Sequence, residues 1–242
     1  MRAMIFAAGL GTRLKPLTDT MPKAMVPISG KPLLEHVILK LKNAGFDHLV
    51  VNVHHFSEQI VRFLAEKNNF GVKIDISDES DRLLETGGGI LKAKSFFDGD
   101  EPILIHNVDI LSNLDVAAFY AQAVKNDALA TLLVSKRESS RYLLFDERRL
   151  CGWVNVKTGE TKPQKDMEVS AFDKYAFSGI HVVSPKIFDV MEQNGWQGKF
   201  SITDFYLSEC ANHEISAFVD ENLRLLDVGK IDSLAVAEEF VK

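Results

Sequence analysis

The chain has 242 residues, 46% hydrophobic and 26% charged, which is enough for one large core with a small lobe and ordinary for a soluble enzyme. Its formal net charge of −6 argues against non-specific nucleic-acid binding, which needs a basic face. Cys151 and Cys210 lie far apart without metal-type spacing, no apolar run reaches the roughly 20 residues of a membrane span, and the strand pattern at the N-terminus leaves no signal peptide, so a reduced cytoplasmic setting is expected.

The first predicted element is the apolar run 3–8, with the length and burial of a central parallel strand. Gly9 and Gly11 follow at once; they let the backbone turn tightly and come close to a ligand with N–H groups free for an anion. Arg13 and Lys15 come next, then Lys23 after a loop rich in Thr, Asp and Pro. A strand ending in a glycine turn flanked by fixed positive charge reads as a phosphate cradle. It is not a P-loop, because no Gly-Lys-Ser/Thr follows, and the dinucleotide fingerprint fails at Leu14. A plain strand-to-helix turn would account for the glycines but not for Arg13 and Lys23 beside them.

Gly30-Lys31-Pro32 opens a helix with Leu33, Leu34, Val37, Ile38 and Leu41 on one face, and Gly45 stops it. A second strand at 48–53, a helix over 57–67 and a half-exposed third strand at 72–76 predict right-handed crossovers and a parallel sheet. Residues 84–90 carry Gly87, Gly88 and Gly89 into a short helix, a costly start unless something approaches the backbone there; a flexible turn is the alternative. The buried strand 102–109 ends in Asp109, placed where ligands bind beyond the carboxyl ends of strands. Asp109 suits Mg²⁺ there, and equally suits the cap of the helix expected over 114–125. A strand at 128–134 follows, then hairpins and loops over 136–178, the kind of insertion that holds a second substrate. The core strand 176–183 contains Ser178-Gly179, which a strand bulge would also explain. Pro185 starts a helix, and Ser201-Ile202-Thr203-Asp204 opens the next as a capping-box variant. Late strands at 215–219 and 224–229 precede a final helix over 231–240; Asp227, near the end of the second strand, reads on its own as a helix cap. The seven histidines form no ligand cluster, and there is no Gly-x-Ser-x-Gly elbow.

The string Gly9-Leu10-Gly11-Thr12-Arg13-Leu14-Lys15-Pro16-Leu17-Thr18, with Pro22-Lys23 and Val26-Pro27 after it, resembles the signature of the sugar-1-phosphate nucleotidylyltransferases. The likeness covers nearly the whole chain, best over 1–110 and 176–229, and ends without the hexapeptide-repeat domain of some relatives. It implies an α/β fold: a Rossmann-like three-layer αβα sandwich with a mostly parallel mixed central sheet and a small inserted β-rich sugar-binding lobe. One domain would span 1–242, with a nucleotide-binding half at 1–135 and a sugar-phosphate half at 136–242, the insertion lying at 136–175.

The reaction so implied is a Mg²⁺-assisted in-line attack of a sugar 1-phosphate on the α-phosphorus of a nucleoside triphosphate. By the same resemblance Arg13 and Lys23 are catalytic, and Ala8, Gly9, Gly11, Thr12, Glu85, Gly87 and Gly88 hold the nucleotide. Asp109 and Asp227 hold Mg²⁺, and Asn107, Ser178, Gly179 and Asp204 face the sugar. The form Glu85-Thr86-Gly87-Gly88-Gly89-Ile90 is most similar to the uridylyltransferases for N-acetylmuramic acid 1-phosphate, which favours UTP; a mannose- or heptose-1-phosphate guanylyltransferase using GTP is the runner-up. One departure is Val108, where the family has glycine between Asn and Asp. It puts pocket shape in question, and it is the one support for a non-catalytic nucleotide-sugar sensor.

Overall fold

The computed structural model describes residues 1–241. The chain opens with β1 (Arg2–Phe6), which stops two residues short of the apolar run because the N–H groups of Ala7 and Ala8 leave the ladder for the side chain of Asn52. Three short 3₁₀ turns and a small hairpin, β2 (Pro27–Ile28) with β3 (Lys31–Pro32), lead into α1 (Leu33–Asn43). Then come β4 (His48–Val53), α2 (Ser57–Glu66), β5 (Lys73–Asp78), α3 (Glu85–Lys92) and β6 (Ile103–Asn107). The short β7 (Ile110–Ser112) precedes α4 (Val116–Lys125). In the second half β8 (Ala130–Ser135), β9 (Arg141–Asp146), β10 (Arg149–Asn155), β11 (Thr161–Lys162) and the long β12 (Asp173–Val183) are followed by α5 (Lys186–Gln193) and α6 (Ile202–Glu209). The chain closes with β13 (Ile215–Val219), β14 (Leu225–Asp227) and α7 (Asp232–Phe240).

Ten strands form one mixed sheet in the order β11-β10-β13-β8-β12-β6-β1-β4-β5, with β9 pairing both β10 and β12. The β6-β1-β4-β5 block is parallel, as is β8 with β13, while β12 runs antiparallel to β6 and β8. The predicted insertion is therefore continuous with the main sheet: β9 hydrogen-bonds β12 through Leu143, Leu144 and Phe145.

Alternation along β1 builds the layers. Ala3 and Ile5 join a core with the apolar faces of α1, α2 and α4, whereas Met4 joins a second core with α3, α5 and α6. Helices thus cover both faces of the sheet. None of the described helices is long and apolar enough to cross a membrane.

Strand order sets the location of the site. From β1 the chain winds outward through β4 and β5, then returns to β6 on the other side of β1. The strand order reverses there, and the connections after β1 and β6 part to leave a crevice at the carboxyl ends. Phe6, the last residue of β1, pairs in register with Asn52 and Asn107, so the first loop and the 107–109 segment emerge side by side.

Candidate active site

A cleft of 230 Å³ opens at that point, lined by Ala8, Gly9, Lys23, Glu85, Asn107 and Asp109 among others. Gly11 sits at φ +64°, and a Cβ there would stand 2.8 Å from Thr18 Cγ2 and 3.0 Å from Lys23 Cβ. Only glycine meets both demands. Gly11 O accepts from Leu14 N and from Thr18 Oγ1, each at 2.8 Å, which staples the loop and leaves Thr12 and Arg13 exposed on its outer side. Ala8 edges the cleft, but its N–H is already given to Asn52 Oδ1. Lys23 is only 8% exposed; its stem runs beneath the glycine turn and its ammonium pairs with Asp109.

The two predicted acids come together. β14 pairs with β7, Asp227 opposite Ile110, and Val228 N–H donates to Asp109 O at 2.8 Å. Neither acid caps a helix. Asp115 caps α4 by accepting from Ala118 N, and α7, with Ile231 at its N-cap position, has no side-chain cap. Asp227 is exposed and outside the cleft lining, yet the protein wall behind it and then the Asp109 carboxylate raise its pKa, against the opposing pull of Lys23, Arg13 and Arg137. Arg13 reaches the same point: a Cβ on Gly229 would lie 2.6 Å from Asp227 Oδ1 and 2.9 Å from Arg13 Nη2. Loop, lysine, arginine and both carboxylates thus share one end of the sheet.

On the other wall of the cleft the glycine run has a different cause from the one expected. A Cβ on Gly87 would meet the Phe200 ring at 2.3 Å, and one on Gly88 would meet Gly198 O at 2.0 Å. Both glycines are buried, and Gly87 N–H donates to Phe200 O at 2.9 Å. It is the 198–200 segment that approaches their backbone, and neither glycine is among the residues that line this cleft. Glu85, at φ +60°, lies at the mouth instead, paired with Lys199 at 3.4 Å. Val108 is 3% exposed and packs into the core that holds the apolar face of α4, and it also lines the cleft, so the departure from glycine adds an apolar side chain to the cleft wall.

A family model for the nucleotidyl transferases matches residues 2–242. The chain belongs to that family. The N-acetylmuramate alpha-1-phosphate uridylyltransferase of Caulobacter vibrioides is 31% identical over 232 residues, 91% of this chain and 89% of that protein. The protein of the same name from Neisseria meningitidis is 33% identical over 192 residues, 79% of each chain. Among solved structures, HddC from Yersinia pseudotuberculosis superposes with a TM-score of 0.78 at 25% identity, covering 100% of this chain and 99% of that one.

This nucleotidyl transferase has a second and larger cleft of 490 Å³, between the β9–β11 strands and the start of α6. Arg137, Arg141, Trp153, Lys162, Phe177 and Asp204 line it. Asp204 makes no capping box: Ser201 Oγ accepts from Thr203 N, and Asp204 instead pairs with Lys162 at 3.0 Å across the cleft. Ser178 is turned away from both clefts; its hydroxyl is buried and donates to Leu133 O at 2.7 Å, where the β12–β8 register shifts. Gly179 faces Asn107, whose Nδ2 would stand 2.5 Å from a Cβ there. Arg137, Arg141, Trp153 and Lys162 escape a reading of the sequence because they sit in the segment with the weakest pattern. Their one signal was a cluster of cations with a tryptophan in an otherwise polar insertion.

Proposed function

We propose that the protein joins a nucleoside triphosphate to a sugar 1-phosphate, giving a nucleoside diphosphate sugar and pyrophosphate. The observation that carries this reading is the convergence of the Gly9–Gly11 turn, Arg13, Lys23, Asp109 and Asp227 at the switch point of the sheet. A sugar phosphate oxygen is already an anionic nucleophile, so no covalent enzyme intermediate is needed. The protein has to align two anions that repel each other and neutralise charge as pyrophosphate leaves. Arg13, exposed on the loop, suits the β- and γ-phosphates. Lys23, held under the glycine turn, suits the α-phosphorus, where charge develops. Asp109 and Asp227, the latter with its pKa raised by burial and then by the Asp109 charge, form a hard oxygen set that fits Mg²⁺. When bound, that ion supplies charge neutralisation across the reacting phosphates.

For the acceptor, the 490 Å³ cleft suits a substituted hexose. Arg137, Arg141 and Lys162 line it against Glu160 and Asp204, an excess of positive charge that suits a sugar bearing a carboxylate of its own. Together with the names of the two bacterial relatives, this favours N-acetylmuramate 1-phosphate and UTP. The test is Mg²⁺-dependent pyrophosphate release with each common nucleoside triphosphate, crossed with neutral and acidic sugar 1-phosphates. Release with UTP and N-acetylmuramate 1-phosphate is the expected result. Release only with GTP and a neutral mannose-type sugar would keep the chemistry and overturn the specificity.

A further inference from the structure

Two buried polar residues join the walls of the nucleotide cleft from below. Asn52, near the end of β4, is 1% exposed, and Glu79, one residue past β5, is 0% exposed. Ala7 N–H and Ala8 N–H both donate to Asn52 Oδ1, at 2.7 and 3.2 Å. Those donors dictate how the amide lies, and its Nδ2 donates to Glu79 Oε1 at 2.8 Å. Glu79 Oε2 accepts from Leu84 N–H at 3.0 Å, immediately before Glu85 and α3. The Glu79 backbone is held as well, its N–H on Val53 O at 2.8 Å and its carbonyl against His54 Nδ1 at 2.7 Å. Gly89 leaves room for the carboxylate, since a Cβ there would stand 2.9 Å from Oε1. Both side chains line the cleft that contains Gly9, Lys23, Glu85 and Asp109.

We propose that Glu79, acting through Asn52, is a positioning residue for the nucleotide. It fixes the span between the glycine turn and residues 84–86, and so the span between the sites for triphosphate and base. This rests on reading the cleft as a nucleotide site. The reason lies in acceptor chemistry. An amide has one accepting and one donating end, and either fits the same space. A carboxylate only accepts, so it draws Nδ2 towards itself and leaves Oδ1 for the loop. No neutral side chain in place of Glu79 satisfies Asn52 Nδ2 and Leu84 N–H together in this way.

Glu79→Gln keeps the shape but turns a donor towards Asn52 Nδ2 or Leu84 N–H. Its Kd and KM for the Mg-nucleotide should rise roughly tenfold to hundredfold, with the KM for the sugar 1-phosphate changed less than about threefold. The exchange Asn52→Asp with Glu79→Gln restores complementarity: the carboxylate now at position 52 accepts from Ala7, Ala8 and the glutamine amide, whose oxygen accepts from Leu84. Nucleotide affinity should then return to within roughly threefold of the unaltered chain. Calorimetry with Mg-UTP and Mg-GTP, beside steady-state kinetics, reads both. Unchanged nucleotide affinity in folded Glu79→Gln, equal losses for both substrates, or a folded exchange variant without recovery would each overturn the proposal. If Glu79→Gln does not fold, the exchange variant carries the test, and unfolding of both would assign the pair to the fold alone and overturn it. An unaltered chain that binds no nucleoside triphosphate would overturn the reading of the cleft, and this proposal with it.

Discussion

Gly11 and Lys23 show how closely single residues are set in the first loop. A methyl group on Gly11 meets Thr18 and Lys23 and sits at a φ that L-residues avoid. Gly11→Ala should lower turnover at least about tenfold by displacing Lys23, while costing only about 1–2 kcal/mol of stability, as kinetics beside urea unfolding would show. Lys23→Ala should cost roughly a hundredfold in turnover, about 3 kcal/mol of transition-state stabilisation. A residue outside the site gives the pH dependence. His181, 2% exposed, stands against Phe177 and Tyr206 with neither ring nitrogen hydrogen-bonded, and burial lowers its pKa from 6.5 to about 3. Between those values the unfolded chain binds the extra proton, so stability rises with pH through that window and is lost as pH falls below 6.5. His181→Leu removes that loss. Between pH 6.5 and 5 its unfolding free energy should fall by about 1.6 kcal/mol less than that of the unaltered chain, a difference read from urea midpoints at the two pH values.

Elements explain what residues alone do not. The contact between α3 and the segment leading into α6 depends on Gly87 and Gly88, over which Phe200 and Gly198 lie. Gly88→Ala should destabilise the nucleotide-free protein by about 1–3 kcal/mol, through overpacking against a backbone carbonyl that cannot move alone. A glycine kept only for ligand approach would leave the nucleotide-free melting temperature unchanged, so thermal unfolding without ligand separates the two causes. The cap of α4 illustrates the same level of organisation. With Asp115 accepting from Ala118 N–H, the helix needs nothing from Asp109, and the acid is released for the cleft. Most of the long strands were legible, β4 matching the run 48–53, and α1 follows from the spacing of its leucines and isoleucine, but the short β7 and the β2–β3 hairpin left no period to read. The start of α4 moved from 114 to 116 because the capping aspartate, not the first apolar residue, sets where a helix begins.

At the scale of the whole molecule, the site is assembled from both ends of the chain. Asp109 follows β6 and Asp227 ends β14, and the β7–β14 ladder seats them together. Asp109→Asn and Asp227→Asn should each cut Mg²⁺-dependent turnover roughly a hundredfold. Added Mg²⁺ should raise the melting temperature of the unaltered chain and leave that of either variant unmoved, because an ion stabilises only the state that binds it. Near-normal turnover in both variants would remove the pair from the reaction. The second cleft is a product of the same scale: β9 to β11 extend the sheet past β12, and α6 closes over them.

The sequence alone determined the alternation of strands and helices, the glycine turn with Arg13 and Lys23, and the acid after β6, because each is encoded by residues adjacent in the chain. Short-range spacing reports periodicity and turn chemistry directly. Only the tertiary structure decided what each remaining residue touches. Asp109 is joined to the Asp227 segment through Val228 N–H, Asp204 pairs with Lys162, Ser178 is a core hydroxyl, and Gly87 and Gly88 lie against Phe200 and Gly198. Asn52 and Glu79 are the plainest case. One stands in an apolar strand and the other in the acidic run Asp78-Glu79-Ser80-Asp81. Their roles come from donors and acceptors supplied by segments far apart in sequence, and a hydrogen bond between such segments leaves no period in the chain that makes it.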